Sequence, residues 1–460
     1  MESSSIRSID IFPCEEAHQI SSGARLILSY MLILLFFLPS LVSAAQDSTL
    51  TIENAVTLAL EKNFDVQISR NISKMLDNRD HIGEAGMLPD LSVNGSYSHA
   101  DNTTKQLYSN GEVVDRTGAI NENLNADLSL DWTIFDGFKM FSSKRKLSAL
   151  SEQGKYELKI QMEDIILQVT RSYYEITRQQ QLLKSIREEI VYAREQVLLA
   201  ERRFSNGSGA KLDLLHIKTN LNAKLSAEQK QKSVLKDAKI ELNRLIGNSP
   251  DNEFIVSDTV EIKFRPSLDD LKKNSLAKNS IRSYRIQQIL ISEYSLKEKV
   301  ADRWPEIKLN GSYAYSDSKN DAGFIRQNKN QGLNYGITAT LPLFGGFNRS
   351  TQIKNARLEL LNARLQLENS NQVLSAEVLS AFEKFMNLLE ILKLEEENII
   401  AAKEILAISQ QRFKTGSSDI LELKEAQRNF EESMYRLVNV RFEAKYAETY
   451  LKQLSGELIK

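Results

Sequence analysis

Three acidic side chains, Asp213, Glu422 and Glu425, follow two glycine-containing turns and stand at the start of helix-like stretches. Carboxylates in a first helical turn complement the helix dipole, and Glu422 with Glu425 at i, i+3 share one wet face. The chemistry open to them is electrostatic, because the partners that covalent or metal chemistry requires are missing. His81, His99 and His216 are widely separated and the single cysteine, Cys14, lies near the N-terminus, so no metal site of ordinary spacing can be assembled. There is no Gly-Lys-Ser/Thr phosphate turn, no Gly-x-Ser-x-Gly elbow and no dinucleotide fingerprint. The inventory argues against an enzyme, and no cofactor or metal is expected.

The turns themselves are Ser205-Asn206-Gly207-Ser208-Gly209 and Lys414-Thr415-Gly416-Ser417-Ser418. A glycine just past a helix end supplies the left-handed cap, and Arg203 and Arg412 before them balance the helix C-terminus. Both turns interrupt very long helical patterns. From Lys139 to Phe204 there is no proline and one glycine, and from Asn348 to Phe413 there is neither. Apolar residues there step by three and four: Ile165, Val169, Tyr173, Ile176, Leu183, Ile186, Ile190, Ala193 and Val197, then Val378, Phe382, Phe385, Leu389 and Leu392. At 1.5 Å per residue each stretch spans roughly 100 Å. A second helical pattern follows each turn, so the spacing predicts two long antiparallel hairpins. Shorter helices are expected from about Thr51 to Leu88 and Ser267 to Trp304.

Between helices, residues alternate with a period of two. Leu91, Val93, Gly95 and Tyr97 form one run, Leu124 to Ile134 a second, Ile307 to Tyr315 a third and Leu333 to Leu343 a fourth. Runs of about ten such residues have the length and pattern of transmembrane barrel strands. The pattern predicts two hairpins, each closed by a polar loop (99 to 123 and 316 to 332). Four strands cannot close on themselves or leave bare edges in lipid, so any barrel is shared between chains.

The chain is also written twice. Leu60-Glu-Lys-Asn63 matches Leu276-Ala-Lys-Asn279 and Gly95-Ser-Tyr97 matches Gly311-Ser-Tyr313, at a spacing of about 216 residues. Phe135-Asp-Gly-Phe138 matches Phe344-Gly-Gly-Phe347, and Leu245-Ile-Gly247 matches Leu454-Ser-Gly456, at about 209. The reading divides the chain into residues 1–44, a first repeat at 45–250, a linker at 251–266 and a second repeat at 267–460. The first repeat holds a helix, a β-hairpin at 90–135 and a helical hairpin at 138–247. The second holds a helix, a β-hairpin at 306–344 and a helical hairpin at 347–455.

Residues 1–44 read as a secretory signal peptide: Arg25, the apolar run Leu26 to Leu41, then Val42-Ser43-Ala44 at a cleavage site. An N-terminal anchor helix is the alternative. No cysteine follows the run, so no acyl anchor is expected. Arg7 and Arg25 face Glu2, Asp10, Glu15 and Glu16 in this segment, which leaves the remainder with equal numbers of basic and acidic residues. That balance argues against a nucleic-acid partner.

In these residues the chain resembles the TolC-type outer-membrane efflux and secretion channels, over nearly all of its length beyond the signal. The resemblance rests on Leu50 to Asn63, Leu88 to Tyr97, Leu341-Pro-Leu-Phe-Gly-Gly346 and the tips Arg203-Phe204 to Gly207 and Arg412-Phe413 to Gly416. It implies an α+β membrane protein: a homotrimer in which four strands per chain form an outer-membrane β-barrel embedded in lipid, continued by a helical tunnel through the periplasm. It further implies that residues 251–266 and the chain ends form an equatorial belt. The partners implied are a periplasmic adaptor protein and an inner-membrane transporter, so that the chain is a passive exit duct of an efflux pump or type I secretion system. Cargo selection would then lie mostly in the pump. Asn206, Gly207, Ser208, Thr415, Gly416 and Ser417 match the tip positions that meet the adaptor. Asp213, Glu422 and Glu425 match acidic positions lining the periplasmic aperture. Where some members tie the aperture shut with a tyrosine and an arginine, this chain has Phe413 and Ser418, so closure uses other contacts or opens more easily. The rival reading, a periplasmic coiled-coil scaffold or adaptor, accounts for the helices but not for four membrane-length strands.

Overall fold

The computed structural model describes residues 49–459 apart from 258 and 323, so the expected signal segment and Cys14 lie outside the described residues. In chain order the elements are β1 (Thr49–Leu50), α1 (Ile52–Lys62), α2 (Phe64–Asn78), β2 (Asp90–Leu107), β3 (Val113–Phe135), α3 (Lys139–Ser205) and α4 (Lys211–Leu245). There follow β4 (Ile255–Val256), α5 (Leu268–Lys278), α6 (Ser280–Ala301), β5 (Glu306–Asn320), β6 (Gln327–Thr340), α7 (Asn348–Thr415) and α8 (Ile420–Leu454).

α3 and α7 run for 67 and 68 residues. Such lengths are stable only because a stripe of each is buried: α3 packs along α4 and α7 along α8. The stripe holds Ile165, Val169, Tyr173, Ile176, Leu183, Ile190 and Ala193 in α3, and Val378 and Phe385 in α7. Two larger apolar clusters form where the short elements dock on the hairpins. One gathers α1 and the β4 strand around Tyr173, Leu242 and Ile246. The other gathers α5 around Phe385, Ala444 and Leu451.

The short helices differ from the sequence expectation, which ran each through a single stretch. Each breaks at an asparagine. Asn63 and Asn279 both adopt φ −62°, ψ 129°, an extended conformation that ends one helix and caps the next. The Asn63 Oδ1 accepts from the backbone N–H groups of Asp65 and Val66, and its Nδ2 donates to the Leu245 carbonyl at 3.0 Å. Asn279 accepts from Arg282 N–H and donates to the Leu454 carbonyl at 3.2 Å. A side chain that satisfies both a helix start and a helix end competes successfully with continued helix. Replacing Asn63 with alanine removes the cap and strands a buried carbonyl, an expected loss of about 2–3 kcal/mol. Asn63→Ser, which keeps the cap, is expected to lower the thermal midpoint by circular dichroism less than Asn63→Ala does.

The four long strands form one antiparallel sheet in the order β2-β3-β5-β6. They are longer than the alternation indicated. The stretches 99–123 and 316–332, expected as polar loops, are mostly strand, with chain reversal confined to 108–112 and 321–326. There both faces carry polar residues, so hydrophobic periodicity gives no signal. In the other direction, Leu341 and Leu343 lie beyond the end of β6.

One face of the sheet is apolar and exposed, with Val93, Tyr97, Leu124, Leu128, Tyr313, Leu333 and Ile337. The other is polar and internally bonded. Ser92 meets Ser129 at 2.8 Å, Asn94 donates to Asp127 at 3.0 Å, Ser318 donates to Asn123 at 2.6 Å and Thr338 donates to Asn310 at 3.0 Å. β2 and β6 are the sheet edges, each paired on one side only within the chain.

Candidate functional site: the hairpin tips

The turns joining α3 to α4 and α7 to α8 are built alike. At the first, Gly207 takes φ +72° and the N–H groups of Gly207 and Ser208 reach back to the carbonyls of Phe204 (3.0 Å) and Arg203 (2.9 Å). At the second, Gly416 takes φ +78° and Gly416 and Ser417 reach Phe413 (3.2 Å) and Arg412 (2.9 Å). This closes the helix ends with a left-handed glycine. A Cβ at either glycine meets nothing within 4 Å, so conformation and not space selects glycine there.

All six tip residues singled out by sequence, Asn206, Gly207, Ser208, Thr415, Gly416 and Ser417, are exposed. Thr415 donates to the Arg412 carbonyl at 3.0 Å and meets the Ser417 hydroxyl at 3.0 Å.

The acidic candidates divide between the two hairpins. Asp213 is exposed in the first turn of α4. Glu422 lies in the first turn of α8, behind Asp419, whose Oδ1 caps the helix by accepting from Leu421 and Glu422 N–H at 3.0 and 2.9 Å. Each α8 acid carries an arginine: Glu422 pairs with Arg412 at 2.9 Å and Glu425 with Arg428 at 2.6 Å. Within one chain the structure does not gather the three acids. Among the described residues no group of three or more acidic, histidine or cysteine side chains could hold a metal ion.

Phe413 is buried with Leu406, Leu423 and Ala426. The Arg203 guanidinium lies over its ring, 5.3 Å from the centroid, and donates to the Phe413 carbonyl at 3.1 Å. An arginine of one hairpin therefore holds the helix end of the other. Beside it Lys414 faces Glu195 at 3.8 Å. Ser418 keeps its hydroxyl buried without a hydrogen-bond partner.

Further along, Lys224 of α4 bridges Glu189 of α3 at 2.7 Å and Glu431 of α8 at 2.5 Å. Burial raises the Glu189 carboxyl above its ordinary range, against the opposing pull of the Lys224 ammonium. Sequence reasoning assigned Arg203 and Arg412 only to helix dipoles and passed over Lys224 and Asp419. The Asp419 cap had a signal, an acidic residue just ahead of an apolar helical run. The cross-hairpin partners had none, because their meeting depends on how two hairpins pack.

A family model described as "Outer membrane efflux protein" matches residues 55–248 and 291–457. The outer membrane protein TolC of Vibrio cholerae is 23% identical over 299 residues, covering 64% of this chain and 68% of that protein. The alkaline protease secretion protein AprF of Pseudomonas aeruginosa is 22% identical over 397 residues, covering 85% of this chain and 80% of its own. The crystal structure of the Campylobacter jejuni CmeC outer membrane channel superposes with a TM-score of 0.76 at 16% identity, covering 89% of this chain and 86% of CmeC.

Proposed function

This chain belongs to the outer membrane efflux protein family, and from that premise we propose that three copies form an exit duct for an efflux pump or a type I secretion system. The chain is an outer-membrane channel protein with its helical part in the periplasm. The observation that carries the duct is the two-faced sheet, apolar and exposed on one side, polar and hydrogen-bonded on the other, with both edges open. In lipid a bare sheet edge leaves backbone groups unsatisfied, so the edges must find partners and the ring must close. The apolar face then meets lipid and the polar face lines water.

At the periplasmic end, the exposed tips Asn206 to Ser208 and Thr415 to Ser417 meet an adaptor protein, which couples the duct to an inner-membrane transporter. The caps are satisfied internally, which leaves these surfaces available for a partner. Arg203 and the Lys414–Glu195 pair hold the two tips of one chain together, supplying the tie that Phe413 and Ser418 lack the groups to make. Native mass spectrometry of the detergent-extracted protein tests the assembly. Three chains are expected; a monomer recovered from the osmotic-shock fluid overturns the reading.

Asp213, Glu422 and Glu425, repeated three times about the axis, form acidic rings at the aperture that favour cations. Arg412 and Arg428 offset part of that charge, so the rings act as a selectivity bias and not as a tight site. The double variant Glu422→Gln with Glu425→Gln is expected to reduce cation over anion permeability severalfold in reversal-potential measurements. Unchanged selectivity removes the ring role.

A further inference from the structure

Where the two hairpins meet, α3, α4, α7 and α8 leave a partly enclosed cavity of about 120 Å³ beside Lys224. At 1.5 Å per residue it stands roughly 20 Å along α4 from the turn. Ser185, Ala193 and Ala407 lie on its wall, and their small side chains leave the space unfilled. Protein interiors pack to crystal-like density, so a gap of this size is a feature of the site. Tyr192 and Gln410 border both this cavity and a second space of about 310 Å³ nearer the tips, so the two adjoin as one groove.

The ends of the groove differ in chemistry. At the Lys224 end, Glu188, Glu189 and Glu431 face Lys224 and Lys403, which leaves one negative charge in excess. A single ammonium serves both Glu189 and Glu431. Burial holds the Glu189 carboxyl above its ordinary range in spite of its bond to Lys224, and the Glu431 charge adds to the rise. Asn220 and Gln427 border the same end, and among the described residues neither side chain is hydrogen-bonded within the chain. The end nearer the tips is apolar, with Leu199, Phe413 and Leu423. Glu195 and Lys414 at its border face each other at 3.8 Å and add no net charge.

We propose that this groove binds an elongated organic cation, with its ammonium group beside Glu189 and Glu431 and its apolar body running toward Phe413. The excess charge selects the head group: a second cation gives each carboxylate a partner of its own, whereas an anion meets like charge. Volume selects the body. A cavity of about 150 Å³ accommodates benzene, so the combined space takes one ring and a short chain. The site lies within one chain and does not depend on the exit-duct reading or on the number of copies. A molecule seated there touches both hairpins and packs on Phe413, whose carbonyl accepts from Arg203, so it braces the two tips against separation.

The test is isothermal titration calorimetry of the full-length protein in lipid nanodiscs with phenylbutylamine, phenylbutanol and phenylbutyrate, which share a body and differ in charge. Saturable binding is expected, with the amine at least tenfold tighter than the alcohol and the carboxylate weakest. Ala407→Phe, which fills the cavity from an exposed position, is expected to weaken the amine and the alcohol at least tenfold. Glu431→Gln, which removes the excess charge and keeps the Lys224–Glu189 pair, is expected to abolish the preference for the amine and leave the alcohol unchanged. Equal titrations of wild type and both variants mean partitioning into lipid and overturn the site. An amine preference that survives Glu431→Gln overturns the assignment of the head group, and this variant decides the matter should Ala407→Phe fail to fold.

Discussion

Gly137→Ala is expected to destabilise the fold of the single chain, whereas Gly346→Ala, at the matching position of the other half, is expected to cost that fold only its backbone strain. Both glycines are left-handed, at φ +69° and +61°, and each sits before a phenylalanine that is itself left-handed, Phe138 or Phe347. An alanine in that conformation costs about 1–2 kcal/mol at either site. Space separates the two positions. A Cβ at Gly137 falls 2.5 Å from the Trp304 Cβ and 2.7 Å from the Ala301 carbonyl oxygen, at the end of α6; at Gly346 nothing lies within 4 Å. Relieving that overlap moves the strand-to-helix junction of one half away from that of the other, adding about 1–3 kcal/mol. Urea denaturation of each variant dissociated to single chains, followed by helical circular dichroism, reads the difference, and equal midpoints contradict it.

The second large effect concerns α2. Ile68→Asp with Ile72→Asp is expected to abolish the multimer and leave a folded monomer. Phe64, Ile68, Ile72 and Met75 form an exposed stripe at helical spacing, while Val66 and Ser73 on the opposite side are buried. Each large aliphatic residue withdrawn from water contributes about 1.5–3 kcal/mol, and placing a carboxylate in the buried interface costs more. In the proposed trimer, with this exposed stripe covered by a neighbouring copy, each interface would lose two such residues. The fold of the single chain is untouched because neither side chain contributes to its core. Sedimentation in detergent shows the loss of mass, and unchanged helical circular dichroism shows that folding survives; a multimer of wild-type mass contradicts the assignment of this face.

How much of this was legible in the sequence depended on the type of signal. α3 and α7 showed plainly because a seam such as Ile165-Val169-Tyr173-Ile176 repeats long enough to fix both element and partner. The cores of the strands showed for the same reason, with Leu124 to Ile134 alternating cleanly. Their outer halves did not, since Asn102, Thr104 and Lys105 carry no apolar period yet still pair across a hairpin. The breaks at Asn63 and Asn279 were hidden by flanking helical patterns; what ends those helices is a carbonyl of Leu245 or Leu454, far away in sequence. At the tips, the glycine caps follow from Gly207 and Gly416 alone. The Arg203 contact with Phe413 does not, because it joins residues 210 apart in the chain. Local rules capture caps and periods, and tertiary packing decides which arginine meets which helix end.

The central claim is that copies of this chain enclose one water-filled path across the outer membrane. Current through planar lipid bilayers after addition of the detergent-extracted protein tests it most directly. Long-lived, cation-preferring unitary conductance steps are expected, and their preference should fall when Glu422 and Glu425 are neutralised. Bilayers that stay electrically silent with a correctly folded multimer contradict the claim.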